Sequence, residues 1–273
     1  MTSGLKQQIL ALAAPDLERV ETALKVNLDP NVDRVMAIAA HLLFSGGKRL
    51  RPLLMIHSAR PCGYTGGLEY DFSTIFEYLH AATLLHDDVV DQADARRGKS
   101  AAHHRWPAAA VVLTGDFLLA KALTIAARTR SPEIIAEIAD ITREMSQGEI
   151  DQMERAGDLT LTEAEYNTVI ERKTAVLIRG ACLSGAILAG ADSEKQAALS
   201  RYGWHLGMAF QMADDLLDYL STAEELGKNP GADIREGKLT LPLIVSLERA
   251  SETDRAWMEE TIALDGFDPD RFE

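Results

Sequence analysis

DFSTIFEYLHAATLLHDDVVD, residues 71–91, carries the pattern on which the fold assignment turns. Phe72, Ile75, Phe76, Leu79 and Thr83 recur at three and four residues, one face of an α-helix, and the pattern runs straight into Asp87. Working outward, similar patterns cover residues 31–44, 50–60, 106–129, 132–156, 162–189, 194–220 and 239–249. No sustained period-two alternation marks a strand, and there is no repeat or low-complexity tract. The breaks fall at Pro61 to Gly67 and at Gly227 to Gly237, both rich in glycine and proline. One all-α domain over residues 1–273, a helical bundle, is the simplest architecture. Residues 175–191 (AVLIRGACLSGAILAGA) are apolar on more than one face, which predicts a central helix wrapped by others.

A chain of 273 residues with 47% hydrophobic and 26% charged residues is globular and long enough to bury a large core. Its net charge of -14 argues against a nucleic-acid binder, which needs a basic footprint. Acidity does not exclude anionic substrates, because bound metal ions invert the local charge. Cys62 and Cys182 form neither a disulfide framework nor a metal pair and read as small apolar fillers. No signal peptide is visible, and no uninterrupted apolar run is long enough to span a bilayer, the best being Gly180 to Ala191. A cytoplasmic protein without a transmembrane segment is expected.

Two clusters share one spacing: Asp87-Asp88-Val89-Val90-Asp91 and Asp214-Asp215-Leu216-Leu217-Asp218. On a helix, positions four apart lie one turn apart on the same face, so Asp87 and Asp91 aim together, as do Asp214 and Asp218. Like charges so stacked cost a few tenths of a kcal/mol per pair unless something positive offsets them. Magnesium suits such oxygens, because it takes one or two carboxylates and completes its shell with water and phosphate. One such cluster alone reads equally well as a solvated charge run. Two copies embedded in apolar helices favour a metal-filled cradle for a diphosphate.

Gly46-Gly47-Lys48-Arg49-Leu50-Arg51-Pro52 sets three cations beside two glycines that let backbone approach an anion closely. Arg51 offers a planar fork to phosphate oxygens and Lys48 a compact charge. Arg96-Arg97-Gly98 follows the first carboxylate cluster directly. Together GGKRLRP (46–52), LLHDDVVDQADARRG (84–98), TGDFLL (114–119), QGE (147–149), FQMADDLLD (210–218) and GKNPGADIREGKLTLPLI (227–244) closely resemble the trans-isoprenyl (polyprenyl) diphosphate synthases, most of all the long-chain octaprenyl type. The resemblance covers about residues 40 to 245, in family order.

That resemblance implies an all-α isoprenoid-synthase bundle around a deep central cavity, usually a homodimer. It implies a magnesium-dependent condensation of isopentenyl diphosphate with an allylic diphosphate, by ionisation, attack and proton loss. Asp87, Asp88, Asp91, Asp214, Asp215 and Asp218 match the ligands of the magnesium ions, three with substrate bound. Arg96, Lys173, Lys228 and Lys238 match the allylic diphosphate site, and Gly47, Lys48, Arg51, His80 and Arg97 the isopentenyl diphosphate site. Lys173, Thr174 and Gln211 match residues around the reacting centre. Ala82 and Thr83, with Leu79 and Phe76 further down, correspond to the floor that limits product length. No aromatic residue stands at the first two positions, so an octaprenyl-like product for a quinone side chain is expected, passed as a lipid to a membrane. A farnesyl or geranylgeranyl product is the alternative, as is a silent regulatory subunit, although all six aspartates stand. Relatives usually continue through further helices to a basic C-terminus, whereas this sequence ends on FDPDRFE, so those helices are expected to be missing. Leu239 stands where many relatives have proline.

Overall fold

The structure is a computed structural model that describes residues 2–96, 98–220, 231–235 and 237–263. The helices are α1 (Thr2–Leu28), α2 (Asp33–Leu43), α3 (Leu50–Ala59), α4 (Glu69–Val90), α5 (Ala108–Arg128), α6 (Pro132–Glu154), α7 (Glu163–Ile170), α8 (Val176–Leu188), α9 (Ser193–Leu220), α10 (Ala232–Arg235), α11 (Leu241–Arg249) and α12 (Glu252–Ala263). The expected all-α class holds. A two-stranded antiparallel hairpin, β1 (Ala95–Arg96) and β2 (Lys99–Ser100), is the exception, too short for a period-two pattern to register. Contacts divide the chain into two compact units.

The first unit comprises residues up to Thr142 together with Leu177–Gly203. Its axis is α4, where every residue from Phe72 to Leu79 is buried. The sequence pattern shows one apolar face, but here the polar residues between are satisfied and can be buried too. Ser73 Oγ and Thr74 Oγ1 donate back to the carbonyls of Tyr70 and Asp71, at 2.8 and 2.6 Å. Tyr78 Oη donates to the Leu24 carbonyl of α1 at 2.7 Å. Glu77 is paired with Arg49 at 2.9 Å. Burying an unpaired ion costs several kcal/mol, so this pair is what allows a carboxylate on the axis. The part of α8 in this unit is enclosed as expected. A Cβ on Gly180 would strike Ile141 of α6, and one on Gly185 the Met55 carbonyl of α3. Gly203 of α9 sits equally close to the backbone of Ile178 and Arg179.

By length and composition α5 is apolar enough to cross a membrane, and 33% of its most apolar window is buried. Counting uninterrupted runs misses it, because Asp116 and Lys121 fall inside it.

The second unit comprises Arg143–Val176 and residues from Trp204 onward. Tyr166 and Ile170 of α7, Ala175, Met208 of α9, and Leu243, Ile244 and Leu247 of α11 make its core. A capping box begins α7: Thr162 Oγ1 accepts from the Glu165 N–H, and the Glu165 carboxylate accepts from the Thr162 N–H at 3.0 Å. The sequence pattern over 162–189 reads as one helix, but the structure divides it into α7, a π-helical turn at Glu171–Ala175, and α8.

Candidate active site

In the first unit α4 delivers the first aspartate cluster at its C-terminal end. Asp91 caps the helix, its N–H donating to the Asp87 carbonyl at 2.8 Å. Asp91 is exposed and Asp87 partly so, whereas Asp88 is buried. Arg96 donates to Asp88 Oδ1 from both Nε (2.8 Å) and Nη2 (2.7 Å), so the hairpin is tied to the cluster it follows. Gly98, at φ +71°, makes the hairpin turn.

The loop between α2 and α3 turns on Gly46 (φ +92°) and Gly47 (φ +147°) and exposes Lys48. Arg49 does not join it. At φ +48° it turns inward, donating to Glu21 at 2.6 Å, Glu77 at 2.9 Å and the Leu43 carbonyl at 2.5 Å. Burial pulls the Arg49 pKa down, but the two carboxylates outweigh it and leave the pKa raised. Of the three cations beside the glycines, one is therefore structural. Arg51, half-buried, opens α3, and His80 of α4 shares a shallow depression with Arg49, Glu77, Leu42 and Leu43. Lys99 of β2 approaches the same loop, its Nζ 3.0 Å from Ser45 Oγ.

The floor residues lie on different flanks of α4. At about 100° per residue, Phe76, His80 and Thr83 fall within roughly 40° of the direction of Asp87, and Ala82 about 140° away. Phe76, Leu79 and Ala82 are at most 1% exposed, while Thr83 is partly open and donates to the His80 carbonyl at 2.9 Å.

In the second unit the π turn Glu171–Ala175 carries Lys173 and Thr174. Turns of this kind recur at functional sites because the wider backbone re-aims side chains. Gly148 and Gly207 make room for it, and Trp204 Nε1 donates to Glu171 at 2.9 Å. Lys173 Nζ lies 2.7 Å from Glu149 Oε2 and 2.5 Å from Gln152 Oε1. Thr174 Oγ1 donates to Gln211 Oε1 at 2.8 Å, Gln211 Nε2 to Asp215 Oδ1 at 2.7 Å, and Tyr166 Oη to Asp215 Oδ2 at 2.5 Å. Burial raises the Asp215 pKa, with help from Asp214 and Asp218, against the two donors. Asp214 is exposed; Asp218 is buried, its Oδ2 accepting from the Asp233 N–H at 3.1 Å.

The model of the polyprenyl synthetase family matches residues 32–272. The chain belongs to the polyprenyl synthetase family. Octaprenyl diphosphate synthase of Haemophilus influenzae is 38% identical over 259 residues, 95% of this chain and 79% of the relative. Geranylgeranyl diphosphate synthase of Methanosarcina mazei is 37% identical over 233 residues, 82% of this chain and 72% of the relative. Among solved structures, a polyprenyl synthase from Caulobacter crescentus complexed with calcium and isoprenyl diphosphate gives a TM-score of 0.91. It is 41% identical and covers 97% of this chain and 81% of its own. The synthetase is accordingly an enzyme, a trans-prenyltransferase.

Among the described residues of this synthetase, no three carboxylate, histidine or cysteine groups converge into a cage for a metal. Magnesium draws most of its ligands from water and phosphate and needs no such cage. Asp87, Asp91 and Asp214 lie toward the surface, whereas Asp88, Asp215 and Asp218 are buried and accept hydrogen bonds from Arg96, from Gln211 and Tyr166, and from the Asp233 N–H. Lys238 is half-buried between α10 and α11, and its N–H donates to the Asp233 carbonyl at 2.8 Å. Arg97 and Lys228, also expected at the diphosphate sites, lie outside the described residues. Sequence reading missed Glu149, the partner of Lys173, although QGE stood among the matching motifs. It also missed Tyr166, 49 residues from Asp215, which no spacing rule connects to it.

Proposed function

We propose that this polyprenyl synthetase adds isopentenyl diphosphate to an allylic diphosphate and makes a long, octaprenyl-type product. What carries the reading is the two aspartate clusters near helix ends: Arg96 bonds to Asp88 beside the first, and in the unit of the second Lys173, held by Glu149, stands on the π turn whose Thr174 leads through Gln211 to Asp215. Magnesium, when bound, neutralises the diphosphate as it leaves the allylic carbon. Arg96, Lys173, Lys228 and Lys238 hold that diphosphate. The Gly47 N–H, Lys48, Arg51, His80 and Arg97 hold isopentenyl diphosphate and place its double bond. Thr174 and Gln211 offer oxygens toward the cation without capturing it, and no side-chain base is needed, since the departed diphosphate takes the proton. Thr83, which lies on the Asp87 side of α4 and is not aromatic, and the octaprenyl synthase among the relatives support the long product; Ala82 points to another flank and does not bear on it. The exposed apolar side of α5 supports a homodimer.

Purified enzyme given labelled isopentenyl diphosphate, farnesyl diphosphate and magnesium should yield a ladder ending near eight isoprene units, abolished by EDTA. A product stopping at three or four units would keep the chemistry and sink the long-chain reading. Extension that survives EDTA would sink the metal assignment.

A further inference from the structure

The hydrogen bonds that end on Asp215 have a fixed direction. A carboxylate accepts and does not donate, so Gln211 must turn its amide nitrogen toward Asp215, and it does so at 2.7 Å. The amide oxygen then faces the other way, where it accepts from Thr174 Oγ1 at 2.8 Å. A threonine hydroxyl has one proton and two lone pairs. With its proton committed to Gln211, Thr174 keeps both lone pairs for whatever stands beside it. Were the amide reversed, Gln211 would donate to Thr174, occupy a lone pair and leave the hydroxyl proton pointing outward. For a neighbouring carbocation the first arrangement is attractive and the second repulsive.

What keeps Asp215 in the orientation that sets this chain is its second oxygen. Oδ2 accepts from Tyr166 Oη at 2.5 Å, and both side chains are buried, at 3% and 4% exposure. Tyr166 is itself fixed on α7 by the capping box one turn earlier and by the apolar core of its unit. We propose that Tyr166 is a positioning residue for the reaction, which acts through Asp215 and Gln211 to present the oxygen lone pairs of Thr174 rather than its proton. The proposal rests on the reading of Thr174 and Gln211 as the oxygens beside the allylic cation. It adds a residue outside the aspartate, lysine and arginine motifs, and it gives Asp215 a task in setting hydrogen-bond polarity.

Tyr166→Phe keeps the ring in the core and removes only the donor. Its kcat should fall at least tenfold while KM for isopentenyl diphosphate stays within twofold. The effect should vanish in a Thr174→Val background, because nothing is left to orient, whereas Thr174→Ser should leave it intact. Losses that multiply in the double variant, or a Tyr166→Phe enzyme with normal kcat, overturn the proposal. A second measurement does not depend on turnover. In protein labelled with 15N at glutamine side chains, the amide resonances of Gln211, assigned by their loss in Gln211→Leu, should shift in Tyr166→Phe. Unchanged resonances likewise overturn the proposal. A wild-type protein that makes no prenyl product would sink the functional reading alone, with the resonances still deciding what Tyr166 does.

Discussion

Asp16 of α1 accepts from Nη1 and Nη2 of Arg60, at 2.7 and 2.6 Å, and from Tyr70 Oη at 2.7 Å, with His57 Nε2 3.4 Å away. The Arg60 guanidinium holds the Asp16 carboxyl below its ordinary range, against the effect of burial and with help from Tyr70 and His57. A carboxylate with a depressed folded-state pKa stabilises fully above its unfolded pKa, about 4, and loses that contribution as the pH falls through the folded value. Because the Arg60 side chain is 41% exposed, the pair is worth about 1 kcal/mol. Asp16→Asn should therefore lower the thermal midpoint at pH 7 by about 2–4 °C. The gap to wild type should narrow as the pH falls below about 4. Midpoints measured from pH 7 to 3 check this, and a gap independent of pH would show that packing, not charge, joins α1 to Arg60. At this scale the sequence was legible where spacing alone sets a shared face, as in Asp87 and Asp91. It was not legible where backbone conformation decides, as at Arg49, whose positive φ turns one of the three cations beside the glycines into the core.

The π turn Glu171–Ala175 is held where it is by absent side chains. A Cβ on Gly207 would lie 2.5 Å from Ala175 Cα, and one on Gly148 2.7 Å from Arg172 Cβ and 2.8 Å from the Lys173 nitrogen. The obstacles are largely backbone, which cannot swing aside, so Gly207→Ala should cost about 1–3 kcal/mol by overpacking. It should also displace Thr174 from Gln211, so kcat should fall at least tenfold even at temperatures where the variant remains folded. Circular dichroism melts run beside turnover measurements test this, and a destabilised variant with unchanged kcat would show that the turn tolerates movement. The boundaries of α2, α3, α5 and α9 were legible to within about two residues, since apolar periodicity marks them clearly, whereas α10 lies inside an expected break and α12 beyond the last expected helix. The π turn escaped because one inserted residue shifts the phase of a helix without ending it. Helix α1 escaped because it carries Pro15 and leaves Leu5, Ile9 and Leu12 exposed, which blurs its apolar face.

Across the whole molecule, the class was legible in the helical periodicity and the family in the ordered run of motifs; the surface was not. Ala109, Leu113, Asp116, Ala120, Leu123 and Ala127 of α5 are exposed and fall on one side of the helix. Asp116 hides this stripe from a count of apolar runs, although it lies 3.5 Å from His86 Nε2 and so bears on its own unit. Leu113 is 65% exposed and Leu123 43%, almost three turns apart, on a helix whose small residues allow close approach. A second copy offers the same stripe, and two such helices crossing would remove both leucines from water, about 1.5–3 kcal/mol for each side chain fully covered. The wild-type protein should therefore sediment as a dimer at micromolar concentration, and Leu113→Glu with Leu123→Glu should sediment as a monomer, since two carboxylates facing their copies cannot be buried unpaired. A wild-type monomer would remove the homodimer reading. If that monomer instead sedimented with anionic lipid vesicles, and the double variant did not, the apolar side of α5 would be a membrane face, the place where a long prenyl product has to leave.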